Sequence, residues 1–520
     1  MEQPDRNRWK ALVFVCLSLL VMSLDNTVLN VALPSIANQM GATASGLQWI
    51  VDAYILVFAA LLLTMGALGD RIGRKRVLQF GLVWFGVGSL AAGFARSTEM
   101  LIAARAFLGV GGAMVMPATL SIITAAFRDP RERGKAIGIW ASVFGVGSTL
   151  GPLIGGLLVQ QFSWNAVFFI NLPVIAAALW GGWRFIAESR DPEACPIDLP
   201  GAILSIAGLF ALVYGIIEAG SAGWAEPHVR VAFVAAAVLL GAFLVRQATA
   251  RYPMLPLGFF RNPMFSVANF ELVLGLFALF GVLFFMTQYL QSILGFSAAR
   301  AGVLLLPVAL SSIFGNMISA RLSDAVGAKW TVALGMGLAA AGLFGLSWLA
   351  DAAASYLTIA PAMVCFAVGL GVLWPAATES VMSSVPPGKA GIGSAMNDTT
   401  RQIGAALGVA VLGTIANVRY LAVIGSAALD IPVGLADALR EGLQSAHSAA
   451  GGASAAVAAR LTAIADNAFV AGMTHALLVC AIALLVAAVV AAVLLPGGVR
   501  REGGARGEFS LGESGTRRQA

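Results

Sequence analysis

Gly66-Ala-Leu-Gly-Asp70-Arg71-Ile-Gly73-Arg74-Lys75 is a short charged loop between two apolar runs, and it occurs twice. Its second copy, Ala320-Arg-Leu-Ser-Asp324-Ala-Val-Gly327-Ala-Lys329, keeps the Asp, the Gly and the Lys at one constant offset. The glycines permit a tight turn and close approach of helices. Asp70 can accept from the N-terminus of a neighbouring helix or from a facing arginine, which latches one side of the molecule in one state. Arg71, Arg74, Lys75 and Arg76 also satisfy the charge rule for loops on one membrane face. That rule explains neither Asp70 nor its spaced glycines. The loop therefore reads as a gate, carried by Gly66, Asp70, Arg71, Gly73 and Arg74 in the first copy and by Asp324 and Gly327 in the second.

The rest of the composition fixes the setting. Hydrophobic residues make up 59% of the 520, charged residues 11%, and mean hydropathy is +0.86. So little charge cannot cover a soluble surface, so the chain is a polytopic membrane protein. A window of about 20 residues finds about fourteen spans: 11–33, 48–69, 77–95, 100–126, 136–159, 165–187, 199–219, 229–246, 263–291, 300–320, 329–350, 355–382, 391–418 and 467–495. With the N-terminus inside, about 24 of the 32 Lys and Arg fall in inside segments and about 6 in outside ones. Both termini are therefore expected in the cytosol. The net charge of +6 sits in short loops and does not suggest nucleic acid. Four cysteines, three of them inside apolar spans, argue against a disulfide scaffold.

A repeat on one side of the membrane is what a transporter built from two six-helix halves shows. The expected organisation is an N-terminal half at 1–187, a linker with two inserted helices at 188–262, and a C-terminal half at 263–496. An external, partly amphipathic loop at 419–466 is expected to lie on the membrane surface, and a disordered cytosolic tail occupies 497–520. The first helix carries Asp25 inside its apolar run. A carboxylate at that depth costs at least ~2.5–3.5 kcal/mol on insertion scales, so it marks a functional site by default. Asn26, Thr27 and Asn30 make the same helix polar on more than one side, which places it in the interior.

Five stretches together resemble the major facilitator superfamily, and within it the fourteen-helix drug:proton antiporters of the EmrB/QacA type. Gly66-x-Leu68-x-Asp70-Arg71-x-Gly73-Arg74-Lys75 is similar to the superfamily's cytosolic signature. Leu24-Asp25-x-Thr27-x-x-Asn30-Val-Ala-Leu-Pro34 is similar to the first-helix motif, and Arg105-x-x-x-Gly109-x-Gly111-Gly112 to the fourth-helix motif. Gly147-x-x-x-Gly151-Pro152-x-x-Gly155-Gly156 resembles the antiporter motif of helix five; the stretch from Trp164 with Phe168, Asn171 and Pro173 resembles the next helix. The likeness continues through Gln288-Tyr-Leu-Gln291, Ala301-Gly302 with Pro307, and Arg401-Gln402-Ile-Gly404. Leu108 stands where the family often has Gln, and Asn165 where it often has Arg. The resemblance implies a seal against proton leak at Gly147, Gly151, Pro152, Gly155 and Gly156.

Depth offers a partner for Asp25. At 1.5 Å per residue Asp25 lies roughly 12 Å below the outer end of its helix and Arg105 roughly 8 Å below the same face, so the two can share a level. Arg105 would favour the charged carboxylate and desolvation would oppose it, a balance that proton exchange requires. Asn30, Glu271, Glu379, Asp398 and Arg401 are candidates for substrate or a second proton; Asp398 and Arg401 can also pair locally at i,i+3. Met22, Phe277, Phe284, Phe285, Met286 and Trp374 are candidates for an adaptable apolar surface. No catalytic triad, metal-ligand spacing or P-loop is present, so no enzyme, metal or cofactor is expected.

These readings converge on an all-helical, proton-driven multidrug exporter of the bacterial plasma membrane, taking apolar or cationic small molecules and working as a monomer. Two alternatives stay open: a dedicated exporter of one endogenous metabolite, antibiotic or lipid-like compound, and a transporter-like sensor that moves nothing.

Overall fold

The computed structural model describes residues 7–127, 129–190, 198–253, 255–385, 390–427 and 433–496. The expected tail at 497–520 and Cys195 lie outside them. Among the described residues, fourteen helices are long and apolar enough to cross a membrane. The first half holds α1 (Arg8–Met40), α2 (Ala44–Ile72), α3 (Arg74–Gly93), α4 (Thr98–Ala126) and α5 (Pro130–Gln161). Its sixth span runs as α6 (Ala166–Phe169) and α7 (Asn171–Phe185), joined through Ile170, whose N–H donates to Ala166 O. The inserted pair is α8 (Leu199–Ser221) and α9 (Pro227–Thr249). The second half holds α10 (Pro263–Gln288), which continues as a π turn to Ile293, then α11 (Ala298–Val326), α12 (Ala328–Leu349), α13 (Tyr356–Ser383) and α14 (Ala390–Ala427). Two short helices, α15 (Val433–Glu441) and α16 (Leu443–Gly451), precede the last span, α17 (Ala455–Leu494).

Helix starts follow the side chains. Thr43, Ser97, Ser297 and Ser355 each accept a backbone N–H of the turn they open, satisfying a donor the helix cannot. Packing repeats as the sequence does. α1 lies on α5 as α10 lies on α14, and α4 takes both α2 and α3 as α13 takes both α11 and α12. Glycines set the closest crossings: Gly404 and Gly408 of α14 face the backbone at Val273 and Phe277, and Gly342 of α12 faces that of Phe366. Asp198 caps α8 and accepts from Arg246 Nε (3.0 Å) and Gln247 Nε2 (2.9 Å), which pins the inserted pair together.

The two halves meet away from the side where the chain begins and ends. On this far side Gly156 of α5 rests on the backbone of Ala298, Gly302 of α11 rests on that of Pro152, and Gln291 Nε2 donates to Val31 O at 3.0 Å. Nearer the termini, on the helix faces that carry Gly156 and Gly302, a Cβ at Gly138 or Gly145 of α5 would meet nothing within 4 Å, and Ile313, Asn316 and Ala320 of α11 are exposed. The halves therefore close at the far side and part toward the termini side.

The far-side segment departs from expectation. α14 runs on to Ala427 and α17 begins at Ala455, so helix occupies much of 419–466. Hydropathy windows stop at Arg460 and Asp466, whereas the alanines around them keep the helix going. α15 and α16 pack on protein. They bury Leu439, Leu443, Ala446 and Ala450 against Tyr420, Ile424, Leu461 and Ala465. Gln444 Nε2 donates to Ser292 Oγ (2.6 Å), and a cavity of about 60 Å³ remains beneath, lined by Gln48, Phe284, Gln288, Tyr420 and Gln444.

Candidate functional site

Asp25 and Arg105 are joined. Both are buried, and Arg105 Nη1 donates to Asp25 Oδ2 at 2.6 Å. Arg105 Nε donates to Ile50 O at 3.1 Å, and the guanidinium lies 4.3 Å from the Tyr54 ring centroid. The other carboxylate oxygen, Oδ1, accepts from Asn171 Nδ2 at 3.2 Å, and the same amide nitrogen reaches Ser89 Oγ at 3.2 Å. Asn171 is the first residue of α7, in a span whose backbone stays helical through Ile170 (φ −61°, ψ −25°). A buried ion pair needs such extra partners, because mutual attraction alone does not offset the loss of water. Tyr54 Oη lies in the same wall with no hydrogen-bond partner.

Asp52 is the residue that the sequence reading missed. It is fully buried in α2, and neither carboxylate oxygen has a hydrogen-bond partner. Gln48, one turn before it, packs against Gly413 of α14, so this face of α2 looks across the closed seam. Its signal, a carboxylate within an apolar run, is as plain in the sequence as that of Asp25. Asn30 is buried too; its Nδ2 donates to Asn26 O (3.2 Å), while its Oδ1 is unpartnered.

The repeated loops take matching turns. Gly73 (φ +122°) ends α2 and starts α3, and Gly327 (φ +88°) does the same between α11 and α12. Arg74 Nε donates to Asp70 Oδ1 at 2.8 Å and its Nη1 reaches Ser121 O of α4 at 3.5 Å, so the facing arginine comes from the loop itself. Gly66 faces Pro117 of α4, and Arg71 is exposed. Glu188, just beyond α7, accepts from Lys75 N at 3.1 Å, and Arg74 N donates to Ser189 O at 2.9 Å. Lys75 Nζ donates to Trp183 O at 2.9 Å. Asp324 of the second copy is exposed.

On α5, Gly147 and Gly151 sit directly on Ser23 and Thr27 of α1, and Gly155 approaches Val28 O. A side chain at any of the three would collide with α1. This stripe and Gly156 thus press α5 against the Asp25 helix on one side and α11 on the other.

In the second half, Thr400 Oγ1 donates to Asn269 Oδ1 at 3.0 Å. Glu271 is fully buried and both its oxygens are unpartnered. Asp398 and Arg401 lie close enough to interact electrostatically, as their i,i+3 spacing allows, and Glu379 is exposed.

The profile of the Major Facilitator Superfamily matches residues 15–409. The chain belongs to the major facilitator superfamily. Curated relatives place this facilitator among its drug-resistance transporters. It is 37% identical to the multidrug efflux pump LfrA of Mycolicibacterium smegmatis, over 93% of this chain and 96% of that one. It is 37% identical to the methylenomycin A resistance protein of Bacillus subtilis, over 80% and 89% of the two chains. A tetracenomycin C resistance and export protein of Streptomyces glaucescens is 36% identical over 78% and 76%. Among solved structures, an inward-facing, unoccupied bacterial homologue of the human lysosomal transporter Spinster superposes with a TM-score of 0.67 at 18% identity, over 94% of this chain and 97% of that one; the likeness is one of fold.

The apolar surface expected of this facilitator is mostly core. Met22 packs on Gly112, Met286 is fully buried, and Phe284 and Phe285 close the small far-side cavity. Phe277 and Trp374 are only half-buried. Helical spacing alone does not separate a packing stripe from a lining.

Proposed function

We propose that this facilitator is a proton-coupled drug exporter of the plasma membrane, with its termini side in the cytosol. The observation that carries this reading is the buried Asp25–Arg105 pair, held by Asn171, in a fold whose halves close at the far side. The names of the efflux and resistance proteins it resembles support drug export. The bias of Lys and Arg toward the termini side supports the orientation.

A proton arriving from outside neutralises Asp25 and removes the charge that holds Arg105 Nη1. Arg105 keeps Ile50 O and the Tyr54 face, so it can shift without being stranded. The far-side seam closes, the proton leaves toward the cytosol, and the open inner side loads substrate. The restored Asp25–Arg105 pair then accompanies outward release. Asp70, Arg74 and Glu188 latch the inner loop in one of these states, and the Gly147–Gly156 stripe denies protons a leak along α1. The proton gradient supplies the energy, no cofactor takes part, and the substrate leaves unaltered.

The test is pH-gradient-driven dye transport in inverted vesicles, wild type against Asp25→Asn. Loss of proton-driven accumulation is expected, and undiminished transport in the variant sinks the assignment. A dedicated exporter of one compound is the second reading, favoured by the single compound in the name of the tetracenomycin C relative. A susceptibility panel separates the two: broad sensitisation on deletion supports multidrug export, and sensitivity to one compound supports the other.

A further inference from the structure

We propose that Glu271 and Trp374 form a recognition subsite for lipophilic organic monocations in the second half, deepening the export reading on which it rests. Two faces of α10 locate it. Asn269 points to α14, where it bonds Thr400. Glu271 is two residues on, about 200° around the helix, and so turns away from α14. Its face continues at Gly275, one turn along. There the neighbours belong to α13: a Cβ at Gly275 would stand 2.8 Å from Leu373 Cδ2 and 3.3 Å from Trp374 Nε1. The Trp374 indole thus fills the space that Gly275 leaves, about one helical turn from Glu271.

Both polar groups of this wall lack partners. The two Glu271 oxygens and the Trp374 Nε1 are buried without a hydrogen bond. A buried carboxylate without a counter-charge is expensive, and Glu271 has no ion-pair partner among the described residues. Arg401 and Asp398 belong to α14, the face from which Glu271 turns away, and Glu379 is exposed farther along α13. Asp25, by contrast, already holds Arg105 and Asn171 and has no oxygen free for a drug.

Position selects Glu271 over the other unpartnered carboxylate. Asp52 lies behind the closed far-side seam. Glu271 is eight residues from the start of α10, about 12 Å in from the termini side, where the halves part. Trp374, half-buried, has its indole at the level of Gly275, one turn deeper than Glu271 from that opening. An aromatic cation entering there can stack on the indole while its charge faces Glu271, and the indole N–H can steady the carboxylate. A neutral compound gains the stacking and not the charge term.

Equilibrium binding to the purified full-length protein, with no gradient, tests the subsite apart from proton coupling. Ethidium is the cationic probe and Nile red the neutral one. Glu271→Gln is expected to weaken ethidium binding about tenfold or more while Nile red affinity stays within about twofold. Trp374→Leu is expected to weaken both, and Trp374→Phe to restore most of the loss. Glu271→Asp, which retains the charge on a shorter arm, falls between wild type and Gln. Wild type that does not bind ethidium, or a Gln variant that loses both probes equally or neither, overturns the proposal. Failure of Asp25→Asn to alter transport leaves these affinities untouched, so the two readings fail separately.

Discussion

Asn171 differs from Arg105 in what it can offer Asp25. Arginine only donates, so it suits the carboxylate alone. An amide donates through Nδ2 and accepts through Oδ1, and a half-turn about its last torsion lets it serve the acid as well as the anion. Ser89 Oγ, which accepts from the same Nδ2, can reverse its own role in step. Asn171 is thus the partner that stays with Asp25 through a proton cycle while Arg105 lets go. Asn171→Leu, similar in size and unable to do either, is expected to slow pH-driven dye transport about tenfold, the scale of a lost hydrogen bond to a charged group. Initial rates normalised to protein in the membrane check it, and rates equal to wild type dismiss the role. Asp25 and Arg105 were each legible as charges inside apolar runs. Matching depth put Asp25 and Arg105 at one level, whereas the contact of Asn171, 146 positions from Asp25, is encoded by no local pattern.

At the scale of elements, the two repeated loops are alike in sequence and unequal in surroundings. Both glycines have positive φ, which any L side chain resists. Gly73 also faces the Glu188 carboxylate, with Oε1 only 2.6 Å from where a Cβ would sit, whereas nothing lies within 4 Å of the same point at Gly327. Gly73→Ala is therefore expected to lower the melting temperature of the purified protein more than Gly327→Ala, and to break the bond from Lys75 N to Glu188. Backbone strain of roughly 1–2 kcal/mol is common to both, so the excess belongs to the clash. Equal shifts would remove Glu188 from the gate. The loop's glycines, Asp70 and Arg74 were readable because their spacing is local. Glu188 was not, since it returns to the loop from the end of α7. The same limit applies to α17: a hydropathy window registers apolar content, and a helix extended by alanine past Arg460 and Asp466 is invisible to it.

For the whole molecule, the number of spans and their division into halves followed from composition and the repeat, because the bilayer leaves a helix few alternatives. The state of the seam did not, since it depends on which ends of α5 and α11 touch. They touch through glycine: Gly156 on the backbone of Ala298 and Gly302 on that of Pro152, with Gln291 bonded to Val31 nearby. Such backbone contact has no slack for a side chain, whereas the inner halves of the same helices have room. A bulky residue at Gly156 therefore disfavours the far-side-closed state and leaves the opposite state untouched, and a two-state equilibrium moves by that difference. Gly156→Leu is expected to abolish transport while the protein still reaches the membrane. Gln288 lines the cavity beneath α16 and is buried while the seam is shut. In a background without the four native cysteines, a membrane-impermeant thiol reagent added from the far side should label Gln288→Cys several-fold faster when Gly156→Leu is present. Unchanged labelling would mean that the glycine contact is ordinary packing and that the seam is held shut elsewhere, by Gln291 or by the α15–α16 cap.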